Sequence, residues 1–318
     1  MDDEEAVGAV LTPPALDRFR QLCGVEGKIQ PRYGGFTKHV LLSGDRAFLF
    51  PRNHTVVRLL ERECDIYEAV DHPLVPALRG RWREAAISPY PFFAVTRIEG
   101  QSVGGISIDG MAALATQLGA AIAGYHDDSE ENPDRLPPRV RKGATPGVSD
   151  SEHYTPVRFL GGVQRVAESV AAYLDAPASA PVVEALEAVE AMAPVLAHGD
   201  LHEGQLLVDG SGALTGILDW GFAGVLSPLC DFTCSQFDGA LLAAEPAYSA
   251  IRRQMWMAYA DRRAAKLPTW DQVEVAMTSF DITALAPGAP SHYFWRQGVN
   301  WRAARRADAG DHLRTLLA

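Results

Sequence analysis

Residues 198–220 read HGDLHEGQLLVDGSGALTGILDW, and no other stretch constrains the fold of this chain as tightly. A short apolar strand, VLA at 195–197, runs into a loop that carries Asp200, and the apolar strand LTGIL at 214–218 ends on Asp219. A carboxylate in a short loop after a strand projects freely towards a substrate. A second one, at the end of an apolar strand lying across from the first, is a hard oxygen ligand for a cation such as Mg²⁺. Gln205 lies between them and offers an amide oxygen to the same ion.

These residues are two of the parts that phosphoryl transfer from a nucleotide requires. A carboxylate orients the attacking hydroxyl and accepts its proton, and oxygen ligands hold Mg²⁺ against the phosphates. The remaining parts are a small-residue loop over the phosphates and a cation paired to a carboxylate on a helix.

The region from about Lys28 to Arg97 is the place to look for them. KHVLLSG, RAFLF and PFFAVTRI read as short strands, with turn signals at Gly34–Gly35 and at SGD, 43–45. Between the second and third strands, Val57, Leu60, Cys64, Tyr67 and Ala69 recur at helical spacing until Pro73. The result is a small α+β lobe. After the glycines of IEGQSVGG, the stretch DGMAALATQLGAAIAGYH reads as a helix with Asp109 as its N-cap, and the proline-broken stretch 127–156 as a surface loop. Helices are expected at about 162–174 and 181–192, then the strand VLA and a mostly helical tail.

Taken together, the motifs resemble the aminoglycoside phosphotransferase family, a kinase-like group that includes choline kinases and macrolide phosphotransferases. Its H-G-D-x-H-x-x-N signature is matched at His198, Gly199, Asp200 and His202, and its I-D-W segment by ILDW at 217–220. The resemblance implies a bilobal protein kinase-like fold of the α+β class. Residues 1–98 would form a small β-rich nucleotide-binding lobe with one helix, and 99–318 a larger, mainly helical lobe that carries the catalytic and metal loop, 198–220. It also implies Asp200 as catalytic base, Gln205 (in the family's Asn position) and Asp219 as Mg²⁺ ligands, and ATP or GTP as donor. His198 and His202 are expected to shape the loop through backbone hydrogen bonds, Asp231 to cap the next helix, and Trp220 to lie in the core.

In the N-terminal lobe, GGFTKHVLL resembles the family's nucleotide loop. Backbone groups of Gly34, Gly35 and Phe36 would approach the phosphates, and Lys38 would add charge. AFLFPRN followed by LLEREC resembles the strand and helix that carry the family's basic residue and its glutamate partner. Glu63 matches the glutamate, but Leu49 stands at the basic position. An unpaired carboxylate there would be costly, so another cation is expected, with Arg52 favoured over Lys38 and Arg58. PFFAVTRIEG resembles the family's hinge, which implies that the Thr96 carbonyl and the Ile98 amide read the purine edge.

Composition narrows the partners. The net charge is -11, which argues against nucleic acid or an anionic membrane as the main partner. No apolar run approaches the roughly 18 residues of a membrane span, the first residues are acidic, and four cysteines are too few for a secreted framework. A cytoplasmic protein that binds a nucleotide and a small-molecule acceptor is the expectation, with monomer and dimer both open. The tail beyond Leu241 holds Arg252, Arg253, Arg262, Arg263, Arg302, Arg305 and Arg306, whereas a polycationic aminoglycoside calls for carboxylates. VDGSGALTGILDW is similar to the macrolide phosphotransferases, in which the position of Gln205 is often not Asn. The favoured acceptor is therefore a hydroxyl of a bulky, largely apolar natural product. A catalytically impaired nucleotide-binding relative, suggested by Leu49 and Gln205, and a metabolic kinase of a small alcohol such as choline or a sugar are the alternatives.

Overall fold

The computed structural model describes residues 7, 10–32, 37–103, 108–131, 133–141, 157, 160–177, 179–201, 203–233, 246–263, 266–287 and 299–318. Helix α1 (Pro13–Cys23) precedes a five-stranded antiparallel sheet made of β1 (Gln30–Arg32), β2 (Lys38–Ser43), β3 (Arg46–Pro51), then, after helix α2 (Val57–Ala69), β4 (Leu78–Trp82) and β5 (Phe92–Thr96). The strand order is β1-β2-β3-β5-β4. Gly44, at φ 57, turns the two-residue connection between β2 and β3, where Ser43 pairs with Arg46.

Both faces of this sheet are buried, which is why β3 and β5 read as nearly unbroken apolar runs. Leu42, Ala47, Leu49, Phe93 and Val95 face α2, while Leu41, Phe48, Phe50, Phe92 and Ala94 face the other way, against Phe19 of α1. Phe19 meets Phe48 edge-on with ring centres 4.8 Å apart, and Phe50 stacks on Phe92 at the same separation. A second helix, α1, thus joins α2 in covering the sheet; its apolar residues are spread thinly among charges and are legible only against the sheet face they cover.

Strand β6 (Gln101–Ser102) carries the chain out of this region and pairs with β8 (Leu206–Val208), itself paired to β9 (Leu214–Ile217). The intervening elements are α3 (Ile108–Glu131), a short α4 (Pro138–Arg141), α5 (Val163–Leu174), α6 (Ala180–Glu190) and β7 (Val195–Ala197). Beyond β9 come β10 (Gly224–Leu226), which pairs with β7, a one-turn α7 (Cys230–Thr233), and the helices α8 (Pro246–Arg262), α9 (Trp270–Ala284) and α10 (Val299–Leu317). A β-rich N-terminal region and a helical C-terminal part result.

Two local expectations are corrected. Helix α3 begins at Ile108, so Asp109 lies inside its first turn, and it continues through Glu131, five residues into the stretch read as loop. The extension has a tertiary cause: buried Arg263 pairs with Asp127 at 2.8 Å and Glu130 at 2.7 Å. Residues 142–156 of that stretch lie outside the described residues, as do Cys234 and Trp295. Cys23, Cys64 and Cys230 are buried free thiols. Trp220 and Trp256 are fully buried in the main core.

Candidate active site

The site begins at β7, whose three residues are buried, and continues into Gly199 at φ 75. A Cβ at Gly199 would stand 2.9 Å from the Phe222 carbonyl oxygen and 3.1 Å from Leu226 Cδ1. The positive φ and the lack of space both demand glycine before Asp200.

The loop is held from behind by Asp231. Its carboxylate, fully buried, accepts from the backbone N–H groups of His198 and Gly199 (3.0 Å each), from the Tyr125 hydroxyl (2.6 Å) and from His126 Nε2 (3.1 Å). Burial pushes His126 below its ordinary range and keeps it neutral. Its Nε2–H therefore points to Asp231, and its Nδ1 faces the Tyr259 hydroxyl at 3.1 Å. Burial works against an ionised Asp231, but the hydrogen bonds outweigh it and hold this carboxyl below its usual range. The expectation of a helix cap is thus corrected: Asp231 opens α7, yet its side chain binds the Asp200 loop.

His198 supplies a second brace. Its Nε2 lies 2.8 Å from the Leu218 carbonyl, and its Nδ1 accepts from the Asp200 N–H at 3.3 Å. A carbonyl on one side and an N–H on the other select the tautomer protonated at Nε2. One ring thereby ties the backbone of Asp200 to the residue before Asp219.

Asp219, two residues past the end of β9, sits in the left-handed region, φ 66 and ψ 55, which is uncommon for a residue other than glycine. The turn is fixed by its neighbours. Trp220 Nε1 donates to the Ile217 carbonyl at 2.9 Å, and Gly221 packs under Leu59 of α2. The hairpin before it is closed by Asp209, which accepts from Ser211 N and Ala213 N, and by Gln117 of α3, which receives Leu214 N.

Gln205 is 4% exposed, and its Nε2 donates to Asp200 Oδ2 at 3.4 Å. Its Oε1 is buried and accepts no hydrogen bond. Burial, and then the nearby Asp219 charge, push the Asp200 carboxyl up to about 7, with the Gln205 amide opposing. A buried carboxylate, a second one facing it and an orphaned amide oxygen are a donor set that a hard dication satisfies. The residues present therefore fit Mg²⁺.

The cation beside this set is Lys38, at the start of β2. Its Nζ lies 2.6 and 2.5 Å from the two oxygens of Glu63 and 2.8 Å from Asp219 Oδ1. Glu63, 2% exposed on α2, also accepts from the Tyr67 hydroxyl at 2.5 Å. Burial alone would lower the Lys38 ammonium, but Glu63 and Asp219 hold it above its ordinary range. The expected Arg52–Glu63 pair is therefore corrected. Arg52 is exposed, its N–H bonds the Thr37 carbonyl, and its charge falls on His39 instead. β3 delivers Leu49 to the α2 side of the sheet and ends at Pro51, so Arg52 lies past the strand while Lys38 shares the α2 face.

Arg62, the residue before Glu63, was not singled out by its sequence context. It is buried, and its Nε and Nη2 donate to the Ala223 carbonyl at 2.9 and 2.6 Å while Nη2 also reaches the Val140 carbonyl at 3.1 Å. Two adjacent residues of α2 thus serve opposite ends of the site. The run Glu61-Arg62-Glu63 in the sequence gives no sign of which of its charges turns inward.

Thr96 closes β5, with its N–H and hydroxyl on the Ala77 carbonyl. Ile98 lies on the crossover, packed over Gly216 of β9, and the Glu99 carbonyl accepts from the Thr215 hydroxyl. The crossover is in this way fastened to the strand that leads to Asp219. Gly34, Gly35 and His202 lie outside the described residues.

An antiparallel sheet in the order β1-β2-β3-β5-β4, a lysine bound to a helix glutamate, and carboxylates on two facing turns of a helical C-terminal part define a kinase-like protein. The phosphotransferase enzyme family model, APH, matches residues 31–275, and the chain belongs to that family. Among solved structures, it is similar to aminoglycoside phosphotransferase APH(2'')-Ib in its ADP-bound form, at 14% identity and TM-score 0.53 over 96% of this chain and 99% of that one. The GDP complex of wild-type aminoglycoside 2'-phosphotransferase-IIIa matches at 19% identity and TM-score 0.51, over 94% of each chain. Macrolide 2'-phosphotransferase type I matches at 16% identity and TM-score 0.51, over 94% of this chain and 98% of that one. At these identities the likeness is one of fold. No curated protein matches. Among the described residues, no helix is long and apolar enough to cross a membrane.

Proposed function

We propose that this protein transfers the γ-phosphate of ATP or GTP to a hydroxyl of an antibiotic or related natural product. The observation that carries the reading is the orphaned Gln205 Oε1 beside Asp200, on a loop braced by Asp231 and His198 and facing the Asp219 turn. Asp200 receives the acceptor hydroxyl and takes its proton, as the hydroxyl oxygen bonds to the γ-phosphorus and the bond to the β-phosphate oxygen breaks. Gln205 and Asp219 would hold Mg²⁺, which when bound neutralises charge on the phosphates. Residues 1–98 would form the nucleotide-binding lobe and 99–318 the second lobe, a division supported by the end of β5 at Thr96 and the pairing of β6 with β8.

A bulky, largely apolar acceptor of the macrolide kind is favoured over a polycationic aminoglycoside. The support is the VDGSGALTGILDW segment, Gln205 in the position of the family's Asn, and the basic residues of the tail. Two of those arginines have structural duties: Arg263 binds Asp127 and Glu130, and Arg306 bonds the Ile282 carbonyl. The hairpin and Gln205 are therefore the main support for an apolar acceptor. The impaired-kinase alternative loses one of its two supports, because Lys38 supplies Glu63 with the charge that Leu49 lacks.

The test is incubation with Mg²⁺ and ATP or GTP against macrolides, nucleoside and peptide antibiotics, aminoglycosides and choline, with mass spectrometry of each acceptor. Phosphorylation of a macrolide-like compound that disappears in Asp200→Ala is expected. Transfer to aminoglycosides alone overturns the acceptor class, and turnover unchanged in Asp200→Ala overturns the mechanism.

A further inference from the structure

We propose that Lys38, on β2, is the cation that grips the nucleotide phosphates, a task that has passed to it from the β3 position occupied here by Leu49. This rests on the nucleotide-dependent phosphotransferase reading and adds to it the residue that holds the donor and the strand that carries it.

The sheet register makes the transfer geometrically cheap. Val40 pairs with Leu49, and Lys38 pairs with Pro51. Side chains alternate along a strand, so Lys38, Val40 and Leu42 share the face on which Ala47 and Leu49 lie, towards α2. Lys38 is thus one strand over and two residues along from Leu49, a displacement of about 7 Å along the strand that a lysine stem can span. Leu49 itself is 5% exposed and belongs to the same apolar cluster as Leu60 and Cys64. The ammonium of Lys38 instead lies where that face meets the Asp219 turn, and the side chain of Asp219 is 43% exposed.

The donors of the ammonium point the same way. Lysine has three N–H groups, and the structure assigns them partners at Glu63 Oε1, Glu63 Oε2 and Asp219 Oδ1. The two bonds to Glu63 fix the side chain on a helix that Arg62 ties to the C-terminal part. The third bond goes to a candidate metal ligand. Asp219 would hold Mg²⁺ when that ion is bound, and the Lys38 donor now on Asp219 Oδ1 would then serve a phosphate oxygen, with Glu63 keeping the ammonium in place. The Leu49 position is released to the core.

The test uses binding rather than turnover alone. Lys38→Met by itself leaves Glu63 buried without its cation and endangers folding, so the paired variant Lys38→Met/Glu63→Met removes both charges together. Titration calorimetry with ATP in Mg²⁺ and with adenosine is expected to show ATP affinity down by about tenfold or more in the paired variant, with adenosine affinity unchanged. Lys38→Met/Leu49→Lys returns a lysine to the same face and is expected to recover part of the lost ATP affinity. ATP binding equal to wild type in the paired variant overturns the proposal, as does a loss that adenosine shares in full. A Lys38→Met/Leu49→Lys chain that binds ATP no better than the paired variant overturns the shared-face transfer. If wild type binds neither ATP nor GTP, the phosphotransferase reading itself falls; if wild type binds and transfers while the paired variant does both equally well, only the assignment of Lys38 falls.

Discussion

Arg62 and Ala223 are 161 positions apart, and the guanidinium of the first donates twice to the carbonyl of the second inside the core. That carbonyl lies four residues after Asp219, while Glu63, the next residue after Arg62, binds Lys38. A single turn of helix α2 therefore sets the distance between the lysine and the Asp219 turn. A lysine at 62 keeps the charge but lacks the planar fork that serves the Ala223 and Val140 carbonyls together. Arg62→Lys is expected to lower stability by about 1–3 kcal/mol in urea denaturation, and Arg62→Met by more, because buried carbonyls lose their donors. An unaltered denaturation midpoint in Arg62→Met would show that the carbonyls do not depend on it.

Asp231 makes four hydrogen bonds, two of them to the backbone that presents Asp200. Asparagine at 231 matches the shape but turns an NH2 group towards donors. Asp231→Asn is expected to cost roughly 3–5 kcal/mol of stability, and to lower kcat by about 100-fold through misplacement of the Asp200 loop. Tyr125→Phe removes one donor and leaves the carboxylate three, so its cost is expected at about 1–3 kcal/mol. Circular dichroism melts and steady-state rates on the same samples check both.

Gln205→Leu separates metal binding from stability. Leucine fills a similar volume and removes a buried oxygen that has no hydrogen-bond donor. The half-saturating Mg²⁺ concentration is expected to rise by about tenfold or more, as for the loss of a group that supports a metal site. The melting temperature in the absence of metal is expected to change little, since the Oε1 atom is orphaned and the Nε2 bond to Asp200 that is also lost is long, at 3.4 Å.

Asp281, on α9, gives a pH dependence whose sign follows from its surroundings. Burial pushes its carboxyl up to about 7 against the pull of Arg252. Between the ordinary carboxylate pKa and about 7, the folded state binds a proton that the unfolded state releases. The contribution of this group to stability is therefore present at the acid end of that window and is lost as pH rises through about 7, with a slope of at most about 1.4 kcal/mol per pH unit. Asp281→Asn removes the slope. Its stability relative to wild type is expected to be higher at pH 8.5 than at pH 5.5, and a difference that is flat across that range would contradict the burial argument.

Much of the site is legible in the sequence because it is local. His198, Gly199 and Asp200 follow a three-residue strand, and the left-handed turn at Asp219 follows another, so their chemistry is written within 23 residues. Strands β2, β3 and β5 are legible for the same reason, through Gly44 and the apolar runs that a sheet covered on both faces requires, whereas the short β1 and the half-exposed β4 carry no such run. The partner of Glu63 is not local. The sequence favours Arg52 because it follows the strand that aligns with the family's basic residue, and proximity along the chain stands in for a geometry that only pairing defines.

The sequence by itself determined the strands β2, β3 and β5, the helix α2 and which carboxylates can meet a cation, since strand alternation, turn glycines and the spacing of Asp200, Gln205 and Asp219 are properties of short stretches. Tertiary structure alone decided which groups complete them. Lys38 meets Glu63 across 25 positions and Asp219 across 181, and Asp231 meets the His198 backbone across 33. Each of those bonds depends on the register of β2 against β3, on the docking of α2 against the Trp220 turn, or on the packing of α3 behind β7. Such distances are set by burial of apolar faces over the whole chain, and the polar groups reach one another only after that burial has placed them.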